Sequence, residues 1–523
     1  MNQRVRIALA AVLLLGFLGY RYLAGRHAGD AATSASTAVA TASGKPGKPS
    51  PPAPRRRLGK LAFTPCTLAT GFGTQTVEAQ CTRMDVLENR ALPAGRKISL
   101  AIAWLPAKGG DAEPDPVTML AGGPGQSALE SFPGIAPAFE EVRKKRDIIL
   151  VDQRGTGGSN KLVCKDDKGD KATVEGDNGV AAATAAAARC ARQLASTSDL
   201  RFYNTSDAIQ DLDDVRAAIG ARQLNLMGIS YGTRVAQQYA RRYPAHTRTV
   251  TIDGIVPDTL VLGNELARNL ESSLDRQFGR CASDKDCSAR LGNPRLRLNT
   301  LMDKLKTDPP LVRYRDAITG DSREERLTPG HIAALARMFA YAPQVAGLLP
   351  LELNEAAAGR YEPLMALAKM LETSIGDSIT YGMQLSVICT EDAEELKADP
   401  ADADSLLGVD MLATLQAQCS VWPHAPRPAG FRQPLSGQVP VLILSGEFDP
   451  VTPPRYGDEV LKSLPKGRHL VVRGQGHNVL PVGCVPKLFA SFIETADAKK
   501  LDVGCLDQVP YALPFTGFYG WEP

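Results

Sequence analysis

Three residues have the types and spacing to do nucleophilic chemistry: Ser230, Asp449 and His477. Ser230 is the centre of Gly228-Ile229-Ser230-Tyr231-Gly232, a G-x-S-x-G pattern that occurs once in the chain. A serine hydroxyl is a weak nucleophile until a neighbouring base takes its proton. A histidine can do that and later return the proton to a leaving group. A carboxylate behind the histidine holds the imidazole in the useful tautomer and stabilises its charged form. Of six histidines, only His477 lies in a glycine-rich loop, Gly474-Gln475-Gly476-His477, directly after an apolar stretch of strand length. His27 is in a polar amino-terminal segment, His246 follows a helix, His331 and His424 sit among helical patterns, and His469 starts a strand. Three acids compete for the third place: Asp449, Glu447 in the same loop, and Asp253 at the end of an earlier strand. The plain alternative is a two-glycine loop with a serine and a histidine that only serves the fold.

That chemistry needs elements that bring distant residues together. Residues 223–227 are apolar and of strand length, and 233–239 read as helix. A strand feeding a helix through a glycine-flanked serine is a nucleophile elbow, with glycines where the turn leaves no room for side chains. The following helix points its positive end at the reacting group. Residues 97–104 alternate with period two, which predicts a strand. Residues 116–121 and 147–151 are buried-strand runs ending in Gly122-Gly123-Pro124-Gly125 and in Asp152 to Ser159. Ile209, Leu212, Val215 and Ile219 recur at helical spacing, with Gly220 as a stop. Strands alternating with helices predict a doubly wound, mostly parallel α/β sheet.

After a strand at 249–254 the strand signals vanish as far as about residue 436. Helical patterns replace them at 263–278, 296–305, 330–341, 363–371 and 404–419. The expectation is a helical cap over the carboxyl edge of the sheet, where it would exclude water and select substrates. Strands return at 440–445 and 468–473, ending at Asp449 and His477. The expected plan is a signal or membrane anchor at 1–27, a tether at 28–57, a core at 58–257, the cap at 258–436 and the rest of the core at 437–523.

The three motifs GGPG, DQRGTGGS and GISYGT, each after a strand and in this order, resemble the proline iminopeptidase and tripeptidyl aminopeptidase branch of the α/β-hydrolases. The resemblance runs from about Ile98 to Phe492. It implies an α/β-hydrolase fold and an oxyanion site from the backbone N–H groups of Gly123 and Tyr231. Its D-x-x-T-P pattern, Asp449 to Pro453, favours Asp449 as the acid. Many members carry histidine where this chain has Ala121; that residue lies outside the triad. The resemblance also implies an acidic residue that meets a substrate amino group. Glu391 is the candidate, set against a reading in which Glu391, Asp392, Glu394 and Glu395 form a solvated helix start. Asp152 to Ser159 are expected to shape the floor of the site.

The chain has 523 residues, 44% of them hydrophobic, enough for a large core. Its 60 basic and 57 acidic residues are mixed, with net charge +3, which gives no reason to invoke nucleic acid. Arg4 and Arg6 precede an apolar run, 7–20, that is short for a spanning helix of about 20 residues. Either a cleaved signal or an uncleaved anchor places the body outside the cytoplasm. Residues 28–57 are too poor in apolar side chains to fold. The expected activity is removal of residues from the free amino termini of peptides, with no metal or organic cofactor. An esterase with the same triad and a non-catalytic binding module are the alternatives. The ten cysteines fall into sequential neighbours, and short closures cost the least chain entropy. All five neighbouring pairs should therefore be bridged, each bridge stabilising by about 2–4 kcal/mol. Non-reducing peptide mapping should find Cys389 joined to Cys419 and Cys281 joined to Cys287; free thiols there would contradict the scheme.

Overall fold

The computed structural model describes residues 55–71, 74–165, 179–316, 319–376, 378–517 and 520, with the side chains of 372–376 left aside. The expected anchor and the tether through residue 54 lie outside the described residues. Among the described residues no helix is long and apolar enough to cross a membrane.

Ten strands form the central sheet. They are β1 (Arg56–Leu58), β2 (Leu61–Ala69), β3 (Thr76–Leu87), β4 (Lys97–Leu105), β5 (Val117–Leu120), β6 (Ile148–Val151), β7 (Leu224–Ile229), β8 (Thr247–Asp253), β11 (Val441–Gly446) and β12 (Gly467–Val472). The spatial order is β1-β2-β3-β4-β6-β5-β7-β8-β11-β12. From β6 to β12 every pairing is parallel; β1 to β4 run antiparallel and β4 joins β6 antiparallel. All six residues of β7 and of β11 are buried, as expected for strands covered by helices on both faces.

Helices α1 (Ala128–Ile135) and α15 (Val485–Thr495) cover one face. There Phe132 packs tilted on Phe139 (centroids 5.1 Å apart), and Phe139 meets Phe489 edge-on (5.5 Å). Helices α2 (Gly179–Leu194), α3 (Thr205–Ala218), α4 (Tyr231–Arg242) and α14 (Pro454–Leu461) cover the other. The fold is an α/β-hydrolase, as the motif order implied.

Between β8 and β11 the chain builds α5 (Leu266–Ser283), α6 (Lys285–Leu291), α7 (Pro294–Thr307), α8 (Pro329–Ala340), α9 (Pro343–Ala346), α10 (Leu349–Ala357), α11 (Glu362–Gly376), α12 (Tyr381–Glu391) and α13 (Asp410–Cys419). The insertion has two halves. Helices α5, α7, α8, α10 and α11 bury Leu274, Phe278, Leu301, Leu335 and Phe339 in a core of their own. Helices α12 and α13 put Met383, Val387 and Leu415 into the same core as Val235 and Ile252 of the sheet layer.

Two features differ from the sequence expectation. An antiparallel hairpin, β9 (Leu311–Arg315) with β10 (Ser322–Arg326), stands inside the otherwise helical insertion. No residue of β10 is buried, so it has no apolar alternation to read; its pairing with β9 makes it a strand. The β1–β3 meander was also unforeseen. Pro65 lies inside β2, and most of the strand's side chains are exposed or half-buried, which a strand near the sheet edge tolerates. All five disulfides follow the neighbour scheme: Cys66–Cys81, Cys164–Cys190, Cys281–Cys287, Cys389–Cys419 and Cys484–Cys505.

The elbow between β7 and α4 depends on its two glycines. A Cβ on Gly232 would lie 2.1 Å from Leu120 O, and one on Gly228 2.4 Å from Gly232 O, backbone atoms in both cases. Gly232→Ala should therefore destabilise by about 1–3 kcal/mol through overpacking, read as a lower urea midpoint. An unchanged midpoint would mean the turn has slack it does not display.

Candidate active site

Ser230 follows β7 with φ 53° and ψ −125°, a positive-φ conformation that is strained for a residue with a side chain. Its N–H donates to Asp253 O (2.9 Å), and its own carbonyl accepts from Thr233 N (2.8 Å) and Thr233 Oγ1 (2.6 Å). These bonds hold the turn from the neighbouring strand and from the first turn of α4. The side chain is half-buried, so it is held at a surface rather than enclosed.

His477 follows β12 in a loop clamped from both sides. Its N–H donates to Tyr341 O of the cap (2.9 Å), and the Tyr341 ring meets the imidazole edge-on at 5.1 Å. A Cβ on Gly476 would lie 2.1 Å from the same Tyr341 O. Asp253, at the end of β8, accepts Val479 N (3.0 Å) and Leu480 N (2.7 Å) and so pins the loop beyond the histidine. Burial raises the Asp253 carboxyl to about 6, and the two N–H groups pull it back. Asp253, one of the three candidate acids, thus holds the loop rather than the imidazole.

The imidazole partner is Asp449, with Oδ2 2.7 Å from His477 Nδ1. Asp449 is buried and saturated: Oδ1 accepts Val451 N (2.8 Å) and Thr452 N (2.7 Å), and Oδ2 accepts Thr452 Oγ1 (2.8 Å). Burial opposes the charged carboxylate, but His477 and these donors outweigh it and hold Asp449 below the usual range. Burial likewise opposes the imidazolium, and the Asp449 carboxylate outweighs it, so His477 titrates above its ordinary value. Nε2 of His477 is buried and has no hydrogen-bond partner among the described residues. It is the imidazole nitrogen that Asp449 and Thr452 leave available. Ser230 and His477 both adjoin the 253–254 step: Asp253 O takes the Ser230 N–H, and a Cβ on Gly254 would lie 2.7 Å from His477 Cε1. Glu447, the other rival, accepts Gly474 N (2.7 Å) and Tyr511 Oη (3.1 Å) and braces the loop entrance.

The loop after β5 faces the elbow. A Cβ on Gly122 would lie 3.1 Å from Ser230 Cβ, and Gly123 has φ 105°. Tyr231 opens α4, where first-turn N–H groups lack intrahelical acceptors. Gly122 thus lies against Ser230, and Tyr231 follows Ser230 directly in the chain. Asp152 supports this loop by accepting Ser127 Oγ (2.6 Å), Leu129 N (3.0 Å) and Gly158 N (2.8 Å), in keeping with a structural floor.

Glu391 is placed differently from the expected substrate contact. It is the last residue of α12, 1% exposed, with Oε1 accepting Thr205 N (2.7 Å) and Oε2 3.4 Å from Arg234 Nη1. Both oxygens are engaged inside the protein, which corrects the expected role in meeting a substrate amine. The solvated-helix-start alternative fits only Glu394 and Glu395, which are exposed in the short helical turn Ala393–Glu395, whereas Glu391 and Asp392 are buried. Burial pushes the Glu391 carboxyl up to about 7, Arg234 draws it down and Asp392 pushes it up again.

Sequence reasoning missed Thr452, whose Oγ1 lies 3.2 Å from His477 Nδ1 as well as against Asp449, although it stands inside the D-x-x-T-P pattern. It also missed Tyr341, which no local pattern marks.

Residues 115–288 match the family described as alpha/beta hydrolase fold, and residues 404–505 match the family described as TAP-like protein. The chain is similar to serine protease Hip1 of Mycobacterium tuberculosis (strain ATCC 25618 / H37Rv), 25% identical over 481 residues, covering 84% of this chain and 89% of that one. It is also similar to a tripeptidyl aminopeptidase of Streptomyces coelicolor, 31% identical over 190 residues, covering 34% of this chain and 35% of that one. Among solved structures it is similar to proline iminopeptidase of Mycobacterium smegmatis, with TM-score 0.36, 14% identity and coverage of 79% of this chain and 96% of that one.

The raised His477 value sets a pH expectation. The histidine must be neutral to accept a proton, so kcat/KM should rise with pH through an apparent pKa above the ordinary imidazole value of about 6.5. Asp449→Asn removes the charge that raises it, so the limb should move down in pH while the rate falls on the order of 10⁴-fold. Thr452→Val should cost about tenfold, the scale of one hydrogen bond to a charged group. A wild-type limb below the ordinary imidazole value would contradict the coupling.

Proposed function

We propose that this chain, which belongs to the α/β-hydrolase serine peptidases of the proline iminopeptidase and tripeptidyl aminopeptidase type, is an exported exopeptidase that removes residues from the free amino termini of peptides. The observation that carries the reading is a strained, half-buried serine and a histidine that adjoin the same 253–254 step, the histidine's Nδ1 being held by a buried carboxylate.

In this mechanism Ser230 Oγ attacks the scissile carbonyl carbon as its proton passes to His477 Nε2. Asp449 stabilises the imidazolium that forms. The carbonyl oxygen takes up the electron pair and is met by the N–H groups of Gly123 and Tyr231, with the positive end of α4 behind them. The C–N bond then breaks, and His477 gives its proton to the departing amine. Water, deprotonated by the same histidine, cleaves the acyl-enzyme and restores Ser230.

Two observations support a short peptide as substrate. Relatives over most or part of the chain carry the names serine protease and tripeptidyl aminopeptidase. Tyr341 of the cap stands against the His477 ring, so the cap contributes directly to the wall of the site. A chain end suits such a site better than the middle of a folded polypeptide. Five disulfides support an oxidising compartment.

Ser230→Ala should stay folded and lose both turnover and fluorophosphonate labelling. Labelling at another serine with full activity would refute the nucleophile. Against a panel of aminoacyl, dipeptidyl and tripeptidyl chromogenic substrates, free amino termini should be cleaved with higher kcat/KM than their acetylated forms. A preference for acetylated substrates or simple esters would make the enzyme an esterase.

A further inference from the structure

Glu391 breaks a local rule. Helices favour cations, not acids, in the last turn, because the carbonyl end is the negative end of the macrodipole. Here a glutamate is the last residue of α12, an aspartate follows, and both are buried. Burying carboxylates is costly unless specific partners offset it. The partners that do so lie on the elements forming the reacting centre. Arg234, fully buried on α4, reaches Glu391 (3.4 Å) and Asp392 (2.9 Å). Thr205, the first residue of α3, donates its N–H to Glu391. The Oγ1 of Thr205 lies 2.6 Å from Tyr231 Oη, which also accepts from Gln153 Nε2 (3.1 Å). Tyr231 is thereby held through its phenol, and its backbone N–H is one of the two proposed oxyanion donors.

The other end of the same helix meets the loop that carries the other proposed donor. Thr380, the residue capping α12, donates its N–H to Gly125 O (2.9 Å). The fit is tight: a Cβ on Gly125 would lie 2.8 Å from Thr380 O. In between, α12 is locked to the core by Gly382 N donating to Leu162 O (3.3 Å), with no room for a Cβ at Gly382 (2.7 Å to the same oxygen). Cys389, two residues before Glu391, is bridged to Cys419 of α13.

We propose that α12 sets the spacing between the two halves of the oxyanion site, with Thr380 fixing the Gly122–Gly125 loop at one end and Glu391 fixing Thr205, and through it Tyr231, at the other. Glu391, Thr205 and Thr380 are positioning residues: none touches substrate, and each acts through a residue that does. This rests on the reading of Ser230 as nucleophile and of Gly123 and Tyr231 as oxyanion donors. A helix contributed by the insertion thus completes the catalytic centre. Changes that shift it should alter transition-state stabilisation more than substrate binding.

The test compares Glu391→Gln, Glu391→Ala, Thr205→Val, Tyr231→Phe and Thr380→Pro on an activated ester, p-nitrophenyl acetate, with rates expressed per active site titrated by a fluorophosphonate. Glu391→Gln keeps an acceptor for Thr205 N–H and loses only the charge, so it should be milder than Glu391→Ala. Thr205→Val, Tyr231→Phe and Thr380→Pro should each lower kcat about tenfold with KM within about twofold, and Glu391→Ala should lower it more. Affinity for a boronic acid that forms a tetrahedral adduct with serine should fall by the same factor as kcat. The Thr205→Val/Tyr231→Phe double variant should be no worse than the poorer single one, because both remove the same bond. Wild-type kcat per titrated site in Thr205→Val and Tyr231→Phe, or losses confined to the number of sites titrated, would overturn the proposal. So would additive losses in the double variant. Because ester and boronate report the centre alone, these results stand apart from peptide specificity. The labelling of Ser230→Ala separately tests the nucleophile on which the proposal rests.

Discussion

A serine held at φ 53° between a fully buried strand and a nearly fully buried helix is the constraint on which the other arrangements depend. An isolated chain would relax from that conformation, since a side chain in the left-handed region crowds its own backbone. Here relaxation is blocked. Glycines on either side of Ser230 sit against backbone atoms of Leu120, Gly232 and Thr233, and the Ser230 N–H is taken by Asp253 O. The strain is therefore offset by strand packing, and it places Ser230 at the start of a helix.

Charge burial is organised around that turn in two separate places. Beyond β8 and β11, Asp253 and Asp449 lie near one another without competing for one role, because their donors differ. Asp253 is spent on the backbone of Val479 and Leu480, while Asp449 takes the imidazole and the Thr452 donors. Behind α4, Asp258, Glu391 and Asp392 surround Arg234, and Arg432 closes the group by reaching Asp392 at 2.8 Å. Burial raises Asp258 to about 7, with Arg234, Gln238 and Arg241 drawing it back. Such a cluster is a poor source of net stability. It does fix the registry of the insertion on α4.

The insertion therefore has two physical characters. Its first half has its own apolar core and reaches the centre through Tyr341, whose carbonyl and ring both meet His477. Its second half shares the sheet's core and reaches the elbow through Thr380 and Glu391. A half with an independent core can move as a unit with small loss of packing. A half that shares its core with the sheet cannot. The two halves thus meet the site through different contacts, one at His477 and the other at the elbow.

Local patterns alone were enough for the elbow, the strand–helix alternation and the candidate histidine, because each depends on neighbours in sequence. Gly228 and Gly232 flank Ser230, β7 and β11 are unbroken apolar runs, and His477 directly follows a strand. The disulfide partners were legible for the same reason, as short loops close at least entropic cost. The meander β1–β3 and the hairpin β9–β10 were not, because edge and exposed strands are made by pairing rather than by side-chain periodicity. The role of Glu391 was out of reach as well. The local string Cys389-Thr390-Glu391-Asp392 is an acidic segment like many on protein surfaces. Only the fold brings Thr205, 186 residues away, and Arg234, 157 away, to its two oxygens. Nearest-neighbour chemistry was determined by the sequence itself. Which acid faces the histidine, and which one is buried against the elbow, was decided by tertiary packing, because burial and partner geometry set the use of a carboxylate.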